Sequence, residues 1–577
     1  MSGRSHKNFL FGPEPRKEGT AFRLWAPERE IALVLDHREE LSMPRGENGL
    51  REAVSPTGAG ARYRFRVGDG LEVPDPASRA QDGDVGDSSL VVNPNAYRWK
   101  STNWRGRPWE ETILYELHVG LLGGFAGMAA HLERIAGLGF TAIELMPVGD
   151  FPGARNWGYD GVLPFAPEST YGTPDALRAL IDRAHELGLM VFLDVVYNHF
   201  GPDGNFINSY APQFFRPDLS TPWGDAIDFR EPTVRRFFIE NAIYWITEFR
   251  FDGLRLDAVH AIRDSDFVVE LALEVRGAVA KDRFVHLVVE NDDNDATLLK
   301  RGYSAQWNDD FHHALHVLLT GETQGYYADY AADPAAALAR ALAEGFAYQG
   351  EASAHRGGAP RGTPSADLPL TAFVSFLQNH DQIGNRAFGD RLTTLVDPQR
   401  LRAAIALQML CPQIPLAFMG EESGAREPFL YFTDHRPELA EAVREGRRAE
   451  FAQFPEFSDA ARRAQIPDPN APETFARSKP EFHGEGAAEW NAFYAQLIAL
   501  RRKEIVPRLK GTRTEGAEKI GNAAVLARWR LGDGAQLTVA MNLGDETVRA
   551  GLPSAKPVWG KAGEELPAAS TVAWIGP

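Results

Sequence analysis

From Ile113 onward the chain repeats one grammar, an apolar strand, a loop and an amphipathic helix, and that repetition narrows the folds open to it. One unit runs from the helix around His131 to Ala136, through Leu138-Gly139, into the apolar stretch Ala142 to Met146. The next begins with Thr173 as helix cap and Pro174 at the first helical position. It sets Leu177, Leu180, Ile181 and Ala184 on one face and passes Leu187-Gly188 into Met190 to Leu193. A third joins a helix over Thr233 to Thr247 with Phe251 to Leu256, and a fourth joins Phe267 to Val279 with Phe284 to Val289. Strands that are apolar at every position have no solvated face, so their sheet must be parallel and covered by helices on both sides. So many units in series favour a closed (β/α)8 TIM barrel over an open sheet. Strands seven and eight fall at Ala372 to Leu377 and Ile414 to Met419, after a long insertion from about Gly321 to Pro369.

The flanks read differently. In Arg62-Tyr63-Arg64-Phe65-Arg66-Val67 a period of two puts three apolar side chains on one face, and Ala21 to Trp25 and Ile31 to Asp36 look similar. At the other end, Val525 to Leu531 and Gln536 to Leu543 flank the turn Gly532-Asp533-Gly534. The expected architecture is α/β. It comprises an immunoglobulin-like β-sandwich over residues 1–96, a (β/α)8 catalytic barrel with insertions over 97–505, and a C-terminal β-sandwich over 506–577.

Length agrees, since 577 residues exceed what one hydrophobic core supports. No apolar run reaches the roughly 18 residues needed to cross a bilayer, so no membrane partner is expected. A net charge of −18 disfavours nucleic acid, which is bound by displacing counterions with Lys and Arg. Met1 to Pro13 shows no apolar core of a secretory signal, and a lone cysteine, Cys411, can form no internal disulfide; both fit a cytoplasmic address.

Catalytic residues of TIM barrels lie just past the C-terminal strand ends. Here those ends carry acids and histidines: Asp194 to His199 after strand three, Arg255-Leu256-Asp257 after strand four, Glu290 after strand five, and Gln378-Asn379-His380-Asp381 after strand seven. Glycoside cleavage needs one acid to protonate the leaving oxygen and one carboxylate to meet the oxocarbenium ion; in a retaining enzyme the two lie about 5 to 5.5 Å apart. Neighbouring strands are spaced about 4.8 Å, so Asp257 and Glu290 are suitably placed. Arg255, two residues before Asp257, points to the same side, where its charge would keep Asp257 ionised.

Asp194-Val195-Val196-Tyr197-Asn198-His199, Gly253-Leu254-Arg255-Leu256-Asp257, Val289-Glu290 and Asn379-His380-Asp381 resemble, in order, the four signature regions of the α-amylase family of glycoside hydrolases. The resemblance implies a nucleophile at Asp257, an acid/base at Glu290 and a transition-state stabiliser at Asp381. His199 and His380 would contact the same sugar and Tyr159 would stack on it. Phe22 to Pro27 and Pro74 to Arg79 are similar to the N-terminal sandwich of branching enzymes, isoamylases and malto-oligosyltrehalose trehalohydrolases. Trp307 to His316, Glu290-Asn291-Asp292 and Phe429 to His435 look most like the last of these. That likeness implies a substrate of maltooligosyl trehalose, cut at the α-1,4 bond next to the terminal trehalose. It further implies substrate contacts at Arg255, His260, Asp309, Asp310, Phe311, His312, His313 and Gln382, no cofactor, and a monomer.

Other readings of the same residues remain open. A glycan-branching transferase would share the carboxylates, whereas a non-catalytic sugar binder would have lost one of them. His312 and His316 have a spacing that suits zinc, and Asp82 to Asp87 resembles a calcium loop without its later Glu; no required metal is expected from either. The acidic run Asn291 to Asp295 reads equally as a solvated rim or as a loop facing substrate.

Overall fold

Eight parallel strands close into a barrel: β1 (Leu114–Leu117), β2 (Ala142–Leu145), β3 (Met190–Val195), β4 (Gly253–Leu256), β5 (His286–Val289), β6 (Ala305–Trp307), β7 (Phe373–Phe376) and β8 (Ile414–Phe418), with β8 paired back onto β1. The computed structural model describes residues 9–36, 39–68, 70–221 and 224–577; Met1 to Asn8, most of the stretch without a secretory pattern, lie outside the described residues.

Alternation along each strand sorts the side chains. Leu114, Ala142, Met190, Phe192, Val288, Trp307, Val374, Phe376, Ile414 and Leu416 form one closed apolar cluster that plugs the barrel interior. The alternate positions belong to a second, larger core between strands and helices. Gly253 shows how tight the plug is, since a Cβ there would stand 2.2 Å from the Phe192 ring. Two residues beyond the plug, the same inward register carries Glu116, Glu144, Asp194 and Arg255, with Glu116 opposite Glu144 and Asp194 opposite Arg255. The interior is therefore apolar below and charged above, at the end where the loops are long.

The helices form as their sequences dictate. The helix Pro174–Glu186 starts with the Thr173 hydroxyl accepting from the Ala176 amide and buries Leu177, Leu180, Ile181 and Ala184. The insertion between β6 and β7 holds the helix Pro334–Glu344 and a two-stranded hairpin, Glu351–Ala352 with Pro360–Arg361. Cys411 is buried in the main core, where burial pushes its thiol up.

Upstream of the barrel lie two antiparallel sheets, one of Glu14–Arg16, Gly19–Trp25 and Leu50–Ser55, the other centred on Ile31–Leu35 and Arg62–Val67. Tyr63, Phe65 and Val67 are buried as the period of two requires, and the Phe22 and Tyr63 rings meet at 4.8 Å. The Asp82 to Asp87 turn satisfies itself: Asp82 pairs with Arg62, the Asp84 amide donates to Asp87, and Asp84 accepts from the Gly153 amide. Downstream, Arg513–Gly521, Ala524–Arg530, Gln536–Asn542 and Ser570–Gly576 make an antiparallel sheet tied to the insertion helix by Trp529, whose indole donates to the Leu342 carbonyl. Among the described residues no helix is long and apolar enough to cross a membrane.

Candidate active site

Arg255 organises the floor of the cleft. Its side chain is fully buried over the Trp307 ring, 4.1 Å from the centroid, so its charge cannot be met by water. Nη1 donates to Asp194 at 2.7 Å and to Asp257 at 2.9 Å, and Nη2 donates to Glu290 at 2.8 Å. One planar fork thus spans Asp194 near the end of β3 and the acids that follow β4 and β5.

The backbone fixes the two candidate reacting acids as firmly. The Asp257 amide donates to the Val195 carbonyl and the Glu290 amide to the Leu256 carbonyl, so each residue continues the barrel ladder one step past its strand. Asn198 Nδ2 donates to the second oxygen of Asp257 at 2.7 Å. Ala258 follows in the left-handed region at φ 41°, a conformation that costs a non-glycine residue about 1 kcal/mol or more. That turn aims its amide at Glu290 Oε2, 2.9 Å away. The same oxygen takes Arg255, which leaves Oε1 to carry a proton. Burial drives the Glu290 carboxyl well above the usual carboxylate range; Arg255 opposes this, while Asp257, Asp381 and Asp309 add to it.

Asp381 lies in the short helix His380–Gly384, whose cap is Asn379 accepting from the Gln382 amide. His380 bridges two carboxylates, with Nδ1 2.5 Å from Glu116 and Nε2 3.2 Å from Asp381. Burial alone would discharge this imidazole, but Asp381 and Glu116 hold it charged and well above its ordinary value. Burial likewise works against the Asp381 carboxylate, and charged His380 overrides it to bring the group below its usual range. Tyr159 stacks on His380 at 4.9 Å and donates to Asp194 at 2.5 Å, while His199 Nε2 sits 2.9 Å from the Tyr159 carbonyl.

The second wall comes from the helix Asp309–Thr320. Asp309 is half-buried, and its carboxyl is pushed up to about 7 by burial, with Arg361 opposing and Asp292, Asp310 and Asp381 adding to the rise. His313, four residues on and so on the same helix face, stacks on Tyr326 at 4.6 Å. His260 Nδ1 accepts from the Asp292 amide at 3.2 Å, and Tyr326 reaches Gln382 at 3.4 Å.

Three expected sugar contacts on this helix are corrected. Asp310 is wholly buried and accepts from Asn294, Arg361, Tyr330 and the amides of Ala347 and Tyr348. Phe311 belongs to the main core, and the His312 ring is occupied by the Leu377 carbonyl at 2.7 Å and the Tyr327 hydroxyl at 3.1 Å. A helix turns about 100° per residue, so only one member of an adjacent Asp-Asp pair can face the cleft.

His316 pairs with Glu322 at 2.7 Å, and among the described residues no group of three potential ligands surrounds His312 and His316. The acidic run is neither bare rim nor free loop, because Asp292 and Asp293 pair with Arg356 of the insertion and Asp292 also with Arg361. Sequence reasoning overlooked Glu116, Glu144 and Arg361. The first two carry a visible signal, an acid inside an otherwise apolar strand, whereas Arg361 lies in an insertion with no periodicity to place it.

Residues 78–214 match the alpha amylase catalytic domain, and residues 512–574 match a domain of unknown function. The malto-oligosyltrehalose trehalohydrolase of Saccharolobus solfataricus is 40% identical over 85% of this chain and 87% of that one. That of Deinococcus radiodurans is 40% identical over 86% and 83%. A crystal structure from Salmonella typhimurium, 43% identical, superposes over 99% of this chain and 100% of that one with a TM-score of 0.93. The chain belongs to the malto-oligosyltrehalose trehalohydrolase family, on the α-amylase barrel.

Proposed function

We propose that the protein hydrolyses the α-1,4 bond next to the terminal trehalose of maltooligosyl trehalose, with retention and release of free trehalose. The observation that carries the chemistry is the shared Arg255 fork, which holds Asp257 and Glu290 at the ends of adjacent strands against one guanidinium, an arrangement that supports a covalent double displacement. Glu290, held protonated by its surroundings, gives its proton to the oxygen leaving with trehalose. Asp257, oriented by Asn198 and Arg255, takes the anomeric carbon of the remaining chain. Glu290 then deprotonates the water that releases that chain. Asp381 and His380 meet the hydroxyls of the distorted sugar, with Tyr159 against its face and His199 beside it.

Family membership favours trehalose as the leaving group, and the wall beyond Glu290 supports it. Asp292 pairs with Arg356 and Arg361, His260 takes the Asp292 amide and His313 stacks on Tyr326, with Asp309 beside them, and a wall so rich in buried polar groups leaves some of them unpaired when offered the differently bent maltose. We further place the activity in the cytoplasm, in a monomer of three parts, 1–96, 97–505 and 506–577, working without a metal or cofactor. Incubation with a trehalose-ended maltodextrin should give trehalose as the main small product, with plain maltodextrin of equal length cut much more slowly. Equal rates on both, or new α-1,6 branches, would point instead to an amylase or a branching transferase.

A further inference from the structure

Glu116 and Glu144 stand opposite each other on β1 and β2, each 1% exposed, in the charged layer above the barrel plug. Their partners set them apart. Both oxygens of Glu144 are without a hydrogen bond, and burial drives that carboxyl well above the usual range, with Glu116 and Asp194 adding to the rise, so it is uncharged. Glu116 instead grips one residue twice: Oε1 accepts from His380 Nδ1 at 2.5 Å, and Oε2 accepts from the His380 amide at 3.3 Å. Among the described residues no other cation lies within ion-pair reach of it, because Arg255 is spent on Asp194, Asp257 and Glu290. Around the His380 ring stand Tyr159 at 4.9 Å, Trp157 at 5.6 Å and Trp307 at 6.0 Å, which restrict its rotation. The remaining ring nitrogen, Nε2, is 3.2 Å from Asp381.

We propose that Glu116 is a positioning residue of the reaction: it clamps the His380 ring so that the Nε2 proton points at Asp381, and so fixes that carboxylate toward the cleft. The inference rests on the retaining chemistry proposed above and adds to it a buried residue behind the site. A neutral imidazole has one N–H, and here two carboxylates each take one, so both are served only by the doubly protonated ring. The charges that face the ring come from several elements. Asp381 on its own helix, Glu116 on β1 and Asp194 on β3 favour the cation, while Arg255 on β4 opposes it. Glu144 on β2 is uncharged, Tyr159 keeps its hydroxyl proton, and His118 after β1, brought down to about 4 by burial, is uncharged as well. With the Glu116 charge removed, the ring loses its only buried counter-ion, and its proton becomes removable.

The test compares Glu116→Gln, which keeps the shape and removes the charge, with Glu116→Asp, which keeps the charge. Both are assayed beside the unchanged protein on a trehalose-ended maltodextrin from about pH 5 to about pH 8, the span in which an ordinary histidine gives up its proton. In Glu116→Gln the deficit in kcat should grow from a few-fold at the acid end to the order of 10²-fold at the basic end, with KM changed far less, because His380 discharges as pH rises. In Glu116→Asp any deficit should be the same at every pH. Nitrogen NMR of the imidazole, its signal identified by its loss in His380→Gln, should show a doubly protonated ring throughout in the unchanged protein and a titrating one in Glu116→Gln. A Glu116→Gln deficit of one factor at every pH would show that Glu116 only holds the fold, and no deficit would show that it is not needed; either overturns the clamp. Should Glu116→Gln fail to fold, the unchanged protein decides by NMR: a ring that is neutral at the basic end overturns the clamp, and one that stays charged supports it. An unchanged protein that released no trehalose would fell the reading of function instead, while the titration of His380 would still judge the clamp.

Discussion

The floor of the cleft and its outer wall are built on opposite plans. The floor is local: Asp194, Arg255, Asp257 and Glu290 sit on three adjacent strands whose ladder continues through them, and one guanidinium joins all three acids. The wall is distant in sequence: Asp310, Ala347 and Arg361 meet across an insertion, and Asp292 pairs with Arg356 from 64 positions away. Geometry that must hold to a fraction of an ångström is placed on the rigid barrel, whereas the wall to which we assign selection among substrates is assembled from loops. Chemistry and selectivity should accordingly come apart under mutation.

The largest effects belong to the floor. Asp257→Ala and Glu290→Gln should each lower kcat on the order of 10³-fold or more, for every glucan tested, with thermal unfolding almost unchanged. Near-normal turnover by either variant would break the assignment of roles. The next effect belongs to the wall. Asp310→Ala leaves the Arg361 guanidinium and two amides without their buried acceptor, at a cost of about 3–5 kcal/mol. It should lower the unfolding temperature and reduce the preference for trehalose-ended over plain maltodextrin, while kcat on plain maltodextrin falls far less. An unfolding temperature within a degree of the parent would show that the wall is not held through this carboxylate.

The smallest effect sharpens the boundary between the two regions. Asp309 has its carboxyl raised to about 7, so it is neutral below that pH and an anionic acceptor for sugar hydroxyls above it. KM for the trehalose-ended substrate should therefore improve a few-fold as pH rises through about 7, and Asp309→Asn should abolish that step. The kcat profile should keep its own basic limb, above the ordinary carboxylate range of about 4.3, because loss of the raised Glu290 proton governs it. An unchanged KM step in the variant would place the titrating group elsewhere.

The barrel was legible because its rule is periodic. Apolar strands such as Met190–Val195, and capped helices such as Pro174–Glu186, declare themselves within ten residues, and the acids at their ends follow from the strand ends. The wall was only partly legible. Asp309 and Asp310 are chemically identical neighbours, and helical rotation separates one that faces the cleft from one that ties down the insertion. The partners of Asp310 could not be named from sequence, because Arg361, Tyr330 and the Ala347 amide converge through loop geometry rather than through any repeat.

Asp310 also makes the wall observable. The amides of Ala347 and Tyr348 donate to a buried side-chain carboxylate instead of to a helix or sheet, so their exchange with solvent deuterium is limited by the parting of the insertion from the barrel. Their protection is a direct gauge of how often the wall opens while the floor of the cleft stays closed.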